Sequence, residues 1–448
     1  MIDWVSRAAR LAAACAVLAG CAGYKALPLD RQPALAASVR DLIHPPGVPE
    51  GQLRIRDIAL LAVANNPDLR AIRARAGVAQ AQVLQAGILP NPQASGNFAP
   101  NLYAPAATTV AWSIGITQDI RSLITLGPRK ESARAGAASV QAGLLWQEWQ
   151  VIGKARLLAV DLIEGARQRR LLRRTETLLD GLYHQTAHAL AAGNATLAEA
   201  SPELVALNDV RTQIATLDRQ LAAWRHQLAA LLGLSPEADL ALADNVELPP
   251  IEAGAVRRAL PELATHRPDL VALRLGYAAQ EATVRGAILA QFPTLLIGFL
   301  GGRDNTNDYT LGPQVTFDLP IFDRNQGNIA IAQATRQQLH DEYSARLTAA
   351  IGEVSAMLAE ITLLQHQIAT VQAERAATVP VARDAAAAYR AGNLDARSYV
   401  DFIRTGLAMQ LQIARMRQSL LEEEVAIATL TGAGMPPMHV ATEEGPRT

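Results

Sequence analysis

Two different periods alternate along this chain. Between Thr108 and Ile120 the even positions Val110, Trp112, Ile114, Ile116 and Ile120 are apolar, while Thr109, Ala111, Ser113, Gly115, Thr117 and Asp119 are small or polar. That two-residue period predicts a strand with one apolar and one polar face. The alternation returns in phase over 309–319, where Tyr309, Leu311, Val315, Phe317 and Leu319 oppose Thr310, Gly312, Gln314, Thr316 and Asp318. Partner strands at about 93–99 and 294–300, reached through turn-rich loops, make each a hairpin. After each hairpin the period changes to a heptad. Leu207, Val210, Ile214, Leu217, Leu221, Trp224, Leu228 and Leu231 alternate spacings of three and four, as do Leu347, Ala350, Val354, Met357, Ile361, Leu364, Ile368 and Val371. These read as coiled-coil seams, with the methionines as packing residues.

The two halves are copies of one another. Pro67, Asp68, Ala71, Arg73 and Pro92 fall on Pro268, Asp269, Ala272, Arg274 and Pro293 at an offset of 201, and Gly193-Asn194 fall on Gly392-Asn393 at an offset of 199. One long unit is therefore written twice with a two-residue indel. The expected fold class is mainly α with a small β part, in two tandem repeats of helix, β-hairpin and long helical hairpin. The first repeat spans 54–233 with strands at 93–99 and 108–120, the second 258–433 with strands at 294–300 and 309–319, and 234–257 links them. A short helix over Ile55 to Asn65, a second from Pro67 to about Leu89, and a helical stretch from about Pro128 to Ala191 fill the first copy. The last of these would be roughly 95 Å long at 1.5 Å per residue, a length suited to a tube or stalk.

The termini are of another kind. Arg7 and Arg10 precede a short apolar run and Leu18-Ala19-Gly20-Cys21, so residues 1–20 read as a lipoprotein signal with the lipid on Cys21. Residues 21–53 are Pro-rich and aperiodic, an expected lipidated tether, and 434–448 an expected flexible tail. Ala22 and Gly23 follow the cysteine where sorted lipoproteins kept at the inner membrane carry Asp, which favours the outer membrane. Half the residues are hydrophobic but only 4% are aromatic, so the apolar content suits close-packed helices. The formal net charge is −1 and no block of like charge appears, so a nucleic-acid partner has no support and none is expected.

Strands of this length cross an outer membrane when tilted, and apolar-out, polar-in alternation is what a membrane barrel shows. On that reading Val110, Trp112, Ile114, Ile116, Leu311, Val315 and Phe317 face lipid, whereas Thr117 and Thr316 face a lumen. Four strands close no membrane barrel, so spanning strands require oligomerisation. The competing reading is a non-conducting periplasmic coiled-coil lipoprotein whose hairpins pack on its own helices.

The doubled order of these elements, Asn66-Pro67-Asp68-Leu69 and Arg267-Pro268-Asp269-Leu270 at helix starts, Phe292-Pro293 before a strand, Phe317 to Asp323 after one, and Tyr389-Arg390-Ala391-Gly392-Asn393 at a hairpin tip together resemble the TolC family of outer-membrane efflux proteins. The resemblance covers about 54–433. It implies a homotrimer whose strands close a twelve-stranded barrel continued by a periplasmic helical tunnel. It also implies a periplasmic adaptor and an inner-membrane pump of the resistance-nodulation-division type as partners, for export of metal cations or drugs. Pro90-Asn91-Pro92 and the stretch Phe317 to Asn328 resemble the heavy-metal (cobalt-zinc-cadmium) branch. Within the family the tips Gly193, Asn194, Tyr389, Gly392 and Asn393 meet the adaptor, and Asp401 lines the closed entrance, with Ser398 where the family has a second acid. Glu199 and Asp395, also just past the tips, join the candidate gate, because three-fold repetition turns an inward carboxylate into a ring.

Other chemistry is sparse. His184 and His188 stand at i, i+4 without an evident third ligand, and Met435-Pro436-Pro437-Met438-His439 offers soft donors on a terminus. Phosphate loops, zinc-protease helices and nucleophile elbows are missing, so the chain reads as no enzyme, with no cofactor and no metal site.

Overall fold

The structure is a computed structural model, and it describes residues 24–100, 108–249 and 251–432. Cys21, the 1–20 segment, the tail with Met435 to His439 and most of the first hairpin's loop lie outside the described residues. Residues 24–35 belong to a separate unit, in which Tyr24, Leu27 and Leu29 are exposed.

The remainder begins with α1 (Ile55–Asn65) and α2 (Pro67–Gly87), then β1 (Gln93–Ala99) and β2 (Ala111–Asp119), then α3 (Leu126–Ala191) and α4 (Leu197–Leu232). The second copy follows as α5 (Ala253–Ala259), α6 (Pro268–Leu289), β3 (Leu295–Arg303), β4 (Tyr309–Phe317), α7 (Gln326–Arg390) and α8 (Ala396–Thr431). The copies match closely: α3 and α7 have 66 and 65 residues, and α4 and α8 have 36 each. At 1.5 Å per residue the long helices are about 100 Å and the short ones about 54 Å.

Local chemistry explains the boundaries. Pro67 and Pro268 occupy first helical positions, where a missing N–H costs nothing. Asn66 caps α2 by accepting from the Leu69 N–H, and its amide reaches the Leu231 carbonyl at 2.9 Å. α2 ends at Gly87, two residues before the expected Leu89, and the Arg129 guanidinium takes up the freed Ala86 and Ile88 carbonyls. The counterpart of α1 in the second copy is broken into short pieces, because Pro261 stands where the first copy has Leu60.

Gly193, Gly233, Gly392 and Gly432 all have positive φ and follow the ends of α3, α4, α7 and α8. At the two tips the chain closes with bonds from Asn194 N–H to Ala189 O and from Asn393 N–H to Ala388 O, each 2.8 Å. The left-handed position belongs to the glycine alone, since neither tip asparagine has positive φ.

The expected seams are where the helices touch. Leu207, Val210, Ile214 and Leu228 of α4, and Val354, Ile361, Leu364 and Ile368 of α7, are buried. α8 has a second buried line, Val400, Leu407 and Leu411, which packs on Leu172, Leu179 and Leu182 of α3. The hairpin α7/α8 therefore lies against the hairpin α3/α4 along α8. α7 also holds one stretch apolar enough, by length and composition alone, to pass for a membrane helix. Its Ala-rich heptad accounts for that composition.

The expected tether is packed from Ala36 onwards. Ala36 and Leu53 pair in parallel with Leu234 and Leu242, and the Asn65 side chain holds both the N–H and the carbonyl of Ile43. Leu42 and Leu53 enter the core with α1, α3 and α4. An aperiodic, Pro-rich sequence signals the absence of a helix, which does not amount to an absence of packing.

Candidate membrane-facing sheet and helical tips

The four strands form one antiparallel sheet in the order β1-β2-β3-β4, so β2 and β3 join the two hairpins across the repeats. β2 is shorter than the expected 108–120, β4 stops at Phe317, and β3 runs three residues past the expected end at 300. The Gly301-Gly302 pair, expected in the loop, lies inside β3. A Cβ at Gly298 or Gly302 would run into the β2 backbone at Ile116 and Trp112, so these glycines let two strands approach closely. The turn comes at Asp304, whose Oδ1 accepts from the N–H groups of Thr306 and Asp308.

Register assigns the faces. Phe98, Trp112, Arg303 and Tyr309 lie opposite one another in one row across the sheet. The next rows are Gly96, Ile114, Gly301 and Leu311, then Ala94, Ile116, Phe299 and Pro313, then Gln118, Ile297 and Val315, and finally Leu295 and Phe317. This face is apolar and largely uncovered: Ile114 is 63% exposed and Leu311 81%. Val110 precedes β2 on the same parity and is half-buried, its carbonyl accepting from Arg303. The other face carries Ser95, Asn97, Ser113, Thr117, Asp119, Thr310, Gln314 and Thr316. From Tyr309 to Phe317 the apolar face runs about 27 Å along the strand, or about 20 Å in height at a tilt near 40°. One end is rimmed by Phe98, Trp112 and Tyr309, and beyond the other end Phe322 is 92% exposed. An apolar band between aromatic rims is the pattern expected on the outer surface of a membrane barrel. β1 and β4 are the two edges of this sheet, and they run antiparallel.

At the tips, three candidate gate residues have local work. Glu199 closes a capping box, accepting from the Thr196 N–H at 2.7 Å and the Thr196 hydroxyl at 3.1 Å. Asp395 caps α8, accepting from the Ser398 N–H at 2.9 Å and the Ser398 hydroxyl at 2.7 Å, and these bonds hold its carboxyl below the usual range. Asp401 is exposed, and among the described residues its side chain has no hydrogen bond or ion pair. Tyr389 stacks on Tyr399 with centroids 4.6 Å apart, packed on the tip core. His184 does have an acidic neighbour, Asp180 one turn earlier at 3.5 Å, but Asp180 is held by Arg211 at 2.7 Å. Among the described residues no group of three or more histidine, cysteine, aspartate and glutamate side chains converges on a metal-sized space.

Several functional candidates carry no sequence motif. The Arg267 side chain is fully buried, forked onto Asp269 and over the Trp146 ring at 4.8 Å, with Arg346 on the second oxygen of Asp269. Gln418 gathers Asp161 and Glu422 between α3 and α8. Glu203 is buried below the first tip. Its only signal in sequence is that it continues the heptad of α4 backwards from Leu207, a carboxylate at a seam position.

An uncovered apolar sheet on top of paired coiled-coil hairpins is thus the architecture of this chain. The profile of the family described as outer membrane efflux protein matches residues 259–433. The second half of the chain is thus similar to this family. It is 26% identical over 271 residues to the multidrug resistance outer membrane protein MdtP of Escherichia coli (strain K12), 56% of this chain and 52% of that one. It is 28% identical over 324 residues to the cobalt-zinc-cadmium resistance protein CzcC of Cupriavidus metallidurans, 66% of this chain and 69% of that one. The chain thus spans about half the length of several curated relatives it matches. Among solved structures, CusC superposes with a TM-score of 0.69 at 21% identity, over 93% of this chain and all of that one. VceC of Vibrio cholerae does so with a TM-score of 0.71 at 17% identity, over 85% and 97%. These likenesses establish the fold.

Proposed function

We propose that this chain is the outer-membrane exit duct of a tripartite efflux system, a passive conduit and no enzyme. Three copies close a twelve-stranded barrel, each β4 edge pairing with the β1 edge of the next copy, and the helical hairpins continue the barrel as a periplasmic tunnel. The observation that carries this reading is the sheet itself, with an exposed apolar face and two open antiparallel edges. An isolated sheet of this kind would aggregate in water. Closure in lipid satisfies both its edges and its face.

Cargo reaches the duct from an inner-membrane pump, of the resistance-nodulation-division type, through a periplasmic adaptor that docks at Gly193, Asn194, Tyr389, Gly392 and Asn393. Metal cations or drugs are the cargo classes, since the relatives include both a cobalt-zinc-cadmium and several multidrug proteins. Asp401, exposed and unengaged, forms the carboxylate ring of the periplasmic entrance, while Glu199, Asp395 and Ser398 shape the helix starts around it. Cys21 adds a lipid anchor.

The test is the oligomeric state of the detergent-extracted protein with the lipid on Cys21 removed, measured by light scattering. The duct requires a trimer that stays in the membrane fraction until detergent is added. A monomer released by removal of the lipid would favour the structural lipoprotein instead.

A further inference from the structure

The second helical hairpin rests on the first along one seam, where α8 meets α3 and α4. Polar groups cross this seam at three heights, and at a fourth a buried acid of the first hairpin lies beside it. Farthest from the tips the Trp149 indole N–H donates to the Thr429 carbonyl at 2.8 Å. Lower down, the Gln418 amide nitrogen of α8 donates to Asp161 of α3 at 2.9 Å and to Glu422 at 2.8 Å, while its oxygen accepts from buried Gln168 at 2.8 Å. Closer to the tips Arg404 of α8 pairs with Asp209 of α4 at 3.3 Å. Last comes Glu203 of α4, fully buried, one oxygen accepting from the Thr186 hydroxyl at 3.0 Å and the other without a partner.

Two of these four stations hold carboxyls with no cation beside them. Among the described residues no ion pair reaches Asp161, Glu422 or Glu203. The charged group facing Asp161 is Glu422 of α8, and the nearby acids are Glu423 of the same helix and Glu360 of α7. Around Glu203 stand Thr186 of α3, Tyr389 of α7 with its stacked partner Tyr399 of α8, and Glu199 of its own helix. A carboxylate at either station would be an uncompensated charge in a packed seam, the situation in which a proton is the cheapest partner.

We propose that this seam is a proton-sensitive catch: with Asp161 and Glu203 protonated the second hairpin is held on the first, and their ionisation releases it. Asp161 as an acid donates to Glu422 while Gln418 serves both, so one proton completes a closed set of hydrogen bonds linking α3 to α8. Loss of that proton leaves two like charges side by side, with one Gln418 N–H each and no hydrogen bond between them. Protonation of Glu203 removes the charge from a buried carboxyl whose second oxygen has no partner, whereas its ionised form calls for water entering below the tip. The other two stations, Trp149 with Thr429 and Arg404 with Asp209, are a neutral hydrogen bond and an ion pair that already has its counter-charge.

The direction follows from burial. Desolvation, with Glu422 adding to it, pushes Asp161 up from 3.8 to about 7, and burial raises Glu203 as well. A raised acid stabilises the closed seam fully below its ordinary value, and that contribution is lost as pH rises through the raised one. For Asp161 the window is therefore from near 4 to near 7. Between about pH 5.5 and about pH 8.5 the full shift would raise the opening constant roughly thirtyfold, and solvent screening of this partly exposed pair reduces that to roughly tenfold.

The catch lies within one chain, so its test does not depend on conduction or on a partner. Hydrogen exchange of the full-length protein in detergent, corrected for intrinsic rates, is compared at the two pH values across 413–425 and 197–206. Wild type should lose roughly tenfold protection in 413–425 at the higher pH, Asp161→Asn should flatten that dependence, and Glu203→Gln should flatten it only in 197–206. Should Asp161→Asn misassemble, Glu422→Gln reads the same station, because a neutral amide there also removes the charge conflict. Equal protection at both pH values in wild type, or a full pH dependence surviving in the variants, would overturn the proposal.

Discussion

A charge placed in the middle of the apolar sheet face gives a sharp account of which side meets lipid. The row of Phe98, Trp112, Arg303 and Tyr309 already contains a guanidinium, so Trp112 belongs to the rim of the band and not to its centre. The centre is two rows on, at Ile116 between Ala94 and Phe299. Four residues separate Ile116 from Trp112, about 14 Å along the strand and about 10 Å in depth at a tilt near 40°. Arginine at that depth in other barrels costs about 2–4 kcal/mol, falling to about 0–1 kcal/mol at the interface. Ile116→Arg should therefore lower folding stability by about 2–4 kcal/mol per chain, Trp112→Arg by about 1 kcal/mol or less, and Thr316→Arg, on the opposite face near Asp119, by a similarly small amount. The assay is urea-dependent folding into lipid vesicles, read by protection from protease and by heat-sensitive migration. Equal costs at Ile116 and Thr316 would mean that the sheet has no lipid side, and a larger cost at Thr316 would invert the faces.

Arg267→Met should cost about 3 kcal/mol, because it strips the fork from Asp269 and the cation from Trp146, although Arg346 still holds Asp269. Chemical denaturation of the solubilised protein reads this, and a change under 1 kcal/mol would make the buried arginine dispensable. Gly153→Val should cost about 1–3 kcal/mol, since a Cβ there sits 2.5 Å from the Thr429 hydroxyl, and Thr429→Ala should recover part of the loss; an unrelieved double mutant would place the strain elsewhere. Gly392→Ala at φ 76 should cost about 1–2 kcal/mol by strain alone, as nothing lies within 4 Å of its Cβ, and an unchanged melting point would show that the tip relaxes. Asp401→Ala should raise the conductance of reconstituted channels and lower their cation selectivity, and an unaltered current would remove Asp401 from the entrance.

What was legible in the sequence was periodic. Alternation at 108–120 and 309–319 gave the apolar face, since parity survives any register, and the heptads gave seams because a buried stripe must recur every three or four residues. The repeat carried the helix lengths from one copy to the other. Neighbour relations were not legible: nothing in the alternation says that β2 pairs with β3, and the glycines that permit that approach look like loop residues. The packing of residues 36–53 was hidden for a related reason, because Asn65 and the 233–243 segment hold that stretch by backbone hydrogen bonds that leave no side-chain pattern. At the candidate gate the structure adds a local role that composition does not show: Glu199 and Asp395 accept from donors at the starts of their helices.

The two copies agree where the backbone turns and differ where the helices touch. Gly193 and Gly233 are repeated as Gly392 and Gly432 with φ between 70 and 76 throughout, so the hairpin geometry has been held. At the seam, Thr186 and Glu203 of the first copy face Ala385 and Phe402 as their equivalents, one buried polar pair against a wholly apolar one. Likewise Asn66, a cap, is replaced by Arg267, an ion-pair centre. Duplication alone would give two hairpins of equal stiffness and, in a three-fold assembly, six equivalent staves with no reason for one set to move before the other. Divergence confined to the packing surfaces removes that equivalence while leaving the lengths matched, so a tube built from both kinds can stay closed as a whole and loosen along every second contact.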